Sequence, residues 1–189
     1  KLSSIIDWKD RTTCVLFGDG AGAAVLSRTK ESNTGILDCC LHADGAKPEL
    51  LRMPGGGSQI PASASSVEER KHFLKMNGRE IFKFAVRGME RAAQEVLNRQ
   101  NVKIADVDKI IPHQANMRII ETIQDRLEIP KSKFYNNLQY YGNTSAASIP
   151  IALDEAYRKG LVKHDDLLLL LAFGAGLTWG STLLRWHKP

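Results

Sequence analysis

The chain has 189 residues, 43% of them apolar and 25% charged, which suits a globular protein with one substantial core. Its 26 Lys and Arg against 21 Asp and Glu give a net charge of +5 and a pI of about 9.2, a modest bias toward an acidic partner. No Lys/Arg run, zinc knuckle or basic stripe with interleaved aromatics points to nucleic acid, and the longest apolar stretch, LLLLLAFGAGL (167–177), falls short of the roughly 20 residues of a spanning helix, so no membrane association is expected.

The opening, KLSSIIDWKD, lacks an initiator methionine and has neither the apolar core of a signal peptide nor the character of a transit peptide, so the chain is expected to begin within a longer protein. TCVLFGDG and AGAAVLSR read as two short strands around a glycine turn, and GILDCCLHAD as a third. Residues 45–66, rich in Gly, Pro and Ser, form the one long loop. From Val67 to about Gln100 the apolar spacing Phe82, Val86, Met89, Ala93, Val96 and Leu97 predicts an amphipathic helix. VDKIIP is a strand and ANMRIIETIQDRL a helix that stops before Pro130. KFYNNL reads as a short strand, TSAASIPIALDEAYRKG as a helix closed by Gly160, and DLLLLLAFG with LTWGSTLLRW as a hairpin-like pair. Strands alternating with helices give an α/β layered fold with a mixed sheet and helices on its faces.

Three stretches carry candidate chemistry. His113 stands at the carboxyl end of a buried strand, where open α/β sheets place their ligand sites. Asn143 opens a helix whose first turn, Thr144 to Ser148, is almost all small residues, which suggests a tightly packed centre; Asn143 could equally be a helix cap. Gly174-Ala175-Gly176 forms a tight turn whose backbone N–H groups could face an anionic oxygen, or an ordinary hairpin turn. FGDGAG lacks GK[ST] and opens no helix, so Gly18, Gly20 and Gly22 are read as close strand packing, not a phosphate cradle. Cys14, Cys39 and Cys40 form no CxxC pair and are odd in number, suggesting neither a disulfide framework nor a zinc site and fitting a reducing cytoplasm.

Five blocks, FGDGAGAAVL (17–26), LHADG (41–45), PHQANMRI (112–119), YGNTSAASIP (141–150) and FGAGLTWGS (173–181), resemble in order the signature blocks of β-ketoacyl-acyl carrier protein synthase III, a thiolase-fold condensing enzyme. The resemblance implies the C-terminal half of a thiolase-like fold, with residues 1–30 as tail of the N-terminal half and linker and 31–189 as the C-terminal half-domain. It implies a decarboxylative Claisen condensation of acyl-CoA, acetyl-CoA in the first instance, with malonyl-acyl carrier protein, the step that initiates fatty-acid synthesis. Of the family's Cys-His-Asn triad, His113 and Asn143 match the decarboxylating pair. Ala175 matches a backbone donor to the tetrahedral oxyanion, where the family more often has glycine, and Phe173 matches a phenylalanine bordering the site. Asn116, Arg118, Lys83, Gly78 and Arg126 match positions that bind CoA and the acyl carrier protein; Arg118, Lys83 and Arg126 could instead belong to merely solvated helix faces. Asn77 and Arg79 depart from the family pattern.

The block around the family's nucleophilic cysteine has no counterpart here, and Cys14, Cys39 and Cys40, all in predicted strands, are expected to be small buried hydrophobes. This chain alone is therefore not expected to complete a turnover. The resemblance implies no metal or cofactor beyond the CoA and carrier-protein thioesters, and implies a cytoplasmic homodimer of the complete protein. Two other readings are another thiolase-fold enzyme, such as a polyketide-type synthase, and a non-catalytic binding or assembly fragment. Hydrolysis by the His-Asn pair alone is disfavoured, because no carboxylate positions either residue to activate water.

Overall fold

A computed structural model describes residues 1–187; the last two residues of the expected 31–189 unit lie outside them. The strands and α-helices, in chain order, are β1 (Gly35–Ala43), β2 (Leu51–Arg52), α1 (Ala64–Glu68), β3 (Lys75–Met76), α2 (Gly78–Arg99), β4 (Lys109–Pro112), α3 (Met117–Arg126), α4 (Leu138–Tyr141), α5 (Ser148–Arg158), β5 (Leu167–Gly174) and β6 (Thr178–Arg185). Four of the strands form one mixed sheet in the order β1-β6-β5-β4, with β4 parallel to β5 and the other pairs antiparallel.

The run of five leucines in β5 reflects burial on both faces of the sheet. Leu167, Leu169 and Leu171 pack with Val86, Met89 and Ala93 of α2 and Ile119, Ile120 and Ile123 of α3. Leu168 points the other way, onto Ala152 and Ala156 of α5. Each fully buried leucine contributes roughly 1.5–3 kcal/mol by leaving water. The expected α/β architecture, a mixed sheet with helices on both faces, is thus the observed one.

Several local expectations are corrected. Neither TCVLFGDG nor AGAAVLSR is a strand: residues 11–16 are turns, Phe17 makes a single bridge to Asn143, and 18–29 have no regular structure. A strand needs a neighbour for its backbone groups, and the described chain brings none to this segment, whose Val25 and Leu26 are 96% and 79% exposed. The long helix begins at Gly78, not Val67. Asn77 caps it by accepting from the Glu80 N–H at 3.3 Å, while residues upstream turn at Arg70 (φ 56°) and pair as β3 with β2. KFYNNL yields only a bridge from Phe134 to Ile110, because the Asn136 side chain takes the Leu138 N–H at 2.9 Å and turns the backbone into α4. The 45–66 segment is mostly loop, as expected, but holds β2, a short 3₁₀ turn and the start of α1, whose Ser63 and Ser66 form a capping box.

The glycines of FGDGAG do mark close packing, but against the 141–151 segment instead of a neighbouring strand. A Cβ on Gly18 would lie 2.3 Å from the Tyr141 carbonyl oxygen, on Gly20 2.9 Å from Thr144 Cγ2, and on Gly22 2.4 Å from Pro150 Cγ.

Candidate active site

A cleft of about 1390 Å³ opens at the carboxyl ends of β4 and β5. His113, Asn143, Phe173 and Ala175 all line it. Strand β4 delivers the histidine: the His113 N–H donates to Leu171 O at 2.7 Å, one residue beyond the last β4–β5 pair, and holds the backbone in register with β5. The next residue anchors the loop. Gln114 is 1% exposed, donates from Nε2 to Pro112 O at 2.8 Å and accepts the Asn137 N–H at 3.2 Å.

The imidazole is fixed from the other side of the cleft. Ser148, the first residue of α5, places Oγ 2.6 Å from His113 Nδ1 while accepting the Gln114 N–H at 3.3 Å. A Ser148 hydroxyl that donates to Nδ1 leaves the ring proton on Nε2. Burial pushes the imidazole down to about 4, so the ring is neutral at physiological pH.

Asn143 is clamped through its backbone. Its N–H donates to Leu16 O at 2.9 Å and its carbonyl accepts the Gly18 N–H at 2.9 Å, which explains why a side chain at Gly18 has no room. Its side-chain Oδ1 accepts the Ser145 N–H at 2.9 Å, leaving the amide NH2 as the free donor. Asn143 is therefore not the cap of α5, which starts five residues later after a 3₁₀ turn. Nor is the Thr144–Ser148 turn wholly buried: Thr144 and Ser148 are, but Ser145 and Ala146 are exposed and line the cleft, because small side chains leave its wall open.

Around the rim, Asn116 caps α3 by accepting the Arg118 N–H at 2.9 Å, and the Arg118 guanidinium lies 5.7 Å from the Phe82 ring centroid. Lys83 pairs with Glu80 at 2.7 Å, and Gly78 opens α2; both line the cleft, as does Arg79. Arg126 does not reach it. Two helical turns beyond the cleft-lining Ile119, it is held by Glu90 at 2.6 Å. No cysteine lines the cleft: Cys40 is buried beneath α2, Cys39 is exposed, and Cys14 lies half-buried in the turns before Phe17.

The matches to known families agree with this geometry. The model of 3-oxoacyl-[acyl-carrier-protein] synthase III matches residues 1–45, and that of its C-terminal region matches 97–186, which includes every cleft residue from His113 to Ala175. The chain belongs to the 3-oxoacyl-[acyl-carrier-protein] synthase III family. It is 58% identical over 187 residues to β-ketoacyl-[acyl-carrier-protein] synthase III of Caldanaerobacter subterraneus subsp. tengcongensis, covering 99% of this chain and 56% of that protein. The crystal structure of the synthase III of Aquifex aeolicus superposes with a TM-score of 0.86 at 49% identity over 98% of this chain and 55% of that one. The priming β-ketosynthase of the R1128 polyketide pathway gives a TM-score of 0.85 at 34% identity, with 100% of this chain and 55% of that one covered. The chain thus spans a little over half the length of the synthase III relatives it matches, and its fold is their thiolase-type fold.

Sequence reasoning found the cleft's His, Asn, Phe and turn, but missed Ser148, Gln114 and the Leu16–Gly18 clamp. Ser148 stood in the small-residue block and was read only for its size; its offset of five residues from Asn143 was the available signal. Among the described residues no helix is long and apolar enough to cross a membrane.

Proposed function

We propose that this chain supplies the decarboxylating side of a 3-oxoacyl-acyl carrier protein synthase III, which condenses an acyl-CoA, acetyl-CoA in the first instance, with malonyl-acyl carrier protein to start fatty-acid synthesis. One observation carries the reading: a neutral imidazole and a side-chain amide, each with its other polar atom already engaged, open on the same cleft as the Ala175 turn. Loss of CO2 from a malonyl thioester leaves an enolate. The Nε2–H of His113 and the amide N–H of Asn143 are the donors for its oxygen, and removing one such donor typically costs about 2.7–4 kcal/mol in the transition state. A neutral ring suits this better than a cation, because it donates without surrendering its proton to the enolate. The enolate carbon then attacks an acyl-cysteine, expelling the thiolate through a tetrahedral oxyanion that the backbone N–H of Ala175 stabilises. Phe173 keeps water from the wall.

The acyl-accepting thiol is none of Cys14, Cys39 and Cys40, since none borders the cleft. It is supplied by sequence outside this chain, so the chain alone does not complete a turnover; residues 1–30 act as linker to that partner half and 31–189 as the half-domain. Arg118, Lys83, Asn116 and Gly78 form the docking rim for the CoA phosphates and pantetheine arm and for the acidic acyl carrier protein, in a cytoplasmic homodimer of the complete protein that needs no metal or other cofactor for this reaction.

Intact-mass spectrometry after incubation with acetyl-CoA tests the division of labour. Expected is no acetyl group on this chain alone, and one on the complete protein. Peptide mapping of an acetyl group to Cys14, Cys39 or Cys40 would overturn it. In the complete protein, His113→Ala and Asn143→Ala are each expected to slow CO2 release from malonyl-acyl carrier protein by about 10²–10³-fold while leaving acetyl transfer to the enzyme intact.

A further inference from the structure

We propose that Cys40, His42 and Glu95 form a binding site for a zinc-class divalent cation; His42 borders the cleft, but none of the three is among the residues given a part in the condensation. Strand alternation puts Cys40 and His42, two residues apart on β1, on the face covered by α2, while Leu41 between them is 81% exposed on the other side. Glu95 comes down from α2 to meet them, with Oε2 2.8 Å from His42 Nε2. One donor atom from each of the three side chains lies within 4.8 Å of the others. A sulfur, an imidazole nitrogen and a carboxylate oxygen are the ligand types that Zn2+ takes in three-residue sites, with water in the fourth position.

The surroundings are organised as a site requires. His42 stacks on Trp179, its partner across the β1–β6 ladder, with ring centroids 5.6 Å apart, so the ring plane is set. The other oxygen of Glu95, Oε1, is held by Arg99 Nη1 at 3.2 Å, which leaves Oε2 turned to the inside. The charge of Arg99 is in turn balanced by Asp38, 2.6 Å from its Nη2. Ser181 Oγ lies 3.2 Å from Cys40 Sγ and gives its proton to Ala92 O at 2.7 Å, so it packs against the sulfur without donating to it. The His42 and Glu95 side chains are 38% and 37% exposed, so they can part by about half an ångström to admit an ion and a water at the Zn–N and Zn–O distances of about 2.0–2.2 Å. The thiol proton leaves to solvent as the thiolate binds, and the Cys⁻/Glu⁻/M²⁺ set is neutral. Motif spacing could not show this site, because two ligands are i, i+2 on a strand and the third is more than fifty residues away on a helix.

Titration of Co2+ into the metal-free 189-residue chain, followed by absorption, tests the proposal. Expected is a near-ultraviolet thiolate-to-cobalt band that saturates at about one equivalent and is displaced by Zn2+. Cys40→Ser and His42→Ala should abolish it, Glu95→Gln should weaken binding at least about tenfold, and Cys14→Ser and Cys39→Ser should leave it unchanged. Circular dichroism of each metal-free variant reports its folding, and Glu95→Gln, on the half-exposed face of α2, keeps the test decisive if Cys40→Ser does not fold. The proposal is overturned by the absence of a band in the unaltered chain, by a band that survives in folded Cys40→Ser, by one lost in Cys39→Ser, or by unchanged affinity in Glu95→Gln.

Discussion

Ser148 Oγ lies 2.6 Å from His113 Nδ1, joining the first residue of α5 to the residue that follows β4. A serine read in the sequence only for its size thereby engages the Nδ1 side of the histidine ring. Ser148→Ala removes the partner of Nδ1 and one acceptor for the Gln114 N–H. It is expected to cost about 1–3 kcal/mol of stability, to lower the rate of malonyl-thioester decarboxylation about tenfold in the complete protein with KM little changed, and to shift the tautomer ratio seen by ¹⁵N NMR of the imidazole. An unchanged tautomer ratio would remove Ser148 from this role.

Acid should weaken the fold through the same histidine. Burial holds its folded value at about 4, below the ordinary 6.5, so between those values the unfolded chain takes up a proton that the folded chain refuses. Stability is then complete above about pH 6.5 and declines as pH falls toward 4, by up to about 3 kcal/mol. Asp7, held well below the usual carboxylate range by its hydrogen bond to Arg70, adds a loss in the same direction at still lower pH. Urea midpoints at pH 7, 5.5 and 4.5 measure the slope, and His113→Asn should flatten it over that window; an equally steep slope in the variant would assign the loss to other groups.

The clamp on Asn143 leaves no space for a methyl group at Gly18, whose Cβ would sit 2.3 Å from the backbone oxygen of Tyr141. Gly18→Ala is expected to cost about 1–3 kcal/mol and to speed amide exchange at Asn143 by releasing its hydrogen bond to Leu16. Normal exchange protection at Asn143 in the variant would show that the clamp can move aside.

Helix α2 lies just as close to the sheet at Gly88, where a Cβ would be 2.9 Å from Trp179 Cγ. Gly88→Ala should lower Tm by several degrees, as about 1–3 kcal/mol of overpacking does in a chain of this length, and should change tryptophan fluorescence as the ring is displaced. A Tm within a degree of the parent would mean that the helix shifts freely.

The two arginines of the basic rim should separate in kinetics of the complete protein. Arg118 borders the cleft, whereas Arg126 is engaged by Glu90 at 2.6 Å away from it. Arg118→Ala is expected to raise KM for malonyl-acyl carrier protein about tenfold at low salt, with the effect shrinking as salt screens it. Arg126→Ala should stay within about twofold; equal effects would place both on one docking surface.

What the sequence determined by itself was whatever follows from local pattern. The leucine run of β5, the 3.6-residue spacing from Phe82 to Leu97 and the stop before Pro130 each specify an element through burial or backbone geometry acting within a few residues. His113 and Asn143 were legible because each sits at an element boundary within a distinctive block. Only the tertiary structure decided matters that depend on a distant partner. TCVLFGDG and AGAAVLSR have strand-like composition yet find no neighbouring strand within the described chain, so their glycines pack on the 141–151 segment instead. The hydrogen bond that holds His113 comes from Ser148, 35 residues away, and the meeting of Cys40 and His42 with Glu95 spans more than fifty. Periodicity records which face of an element avoids water, but hydrogen bonds between side chains on separate elements are set by packing distances that no local pattern encodes.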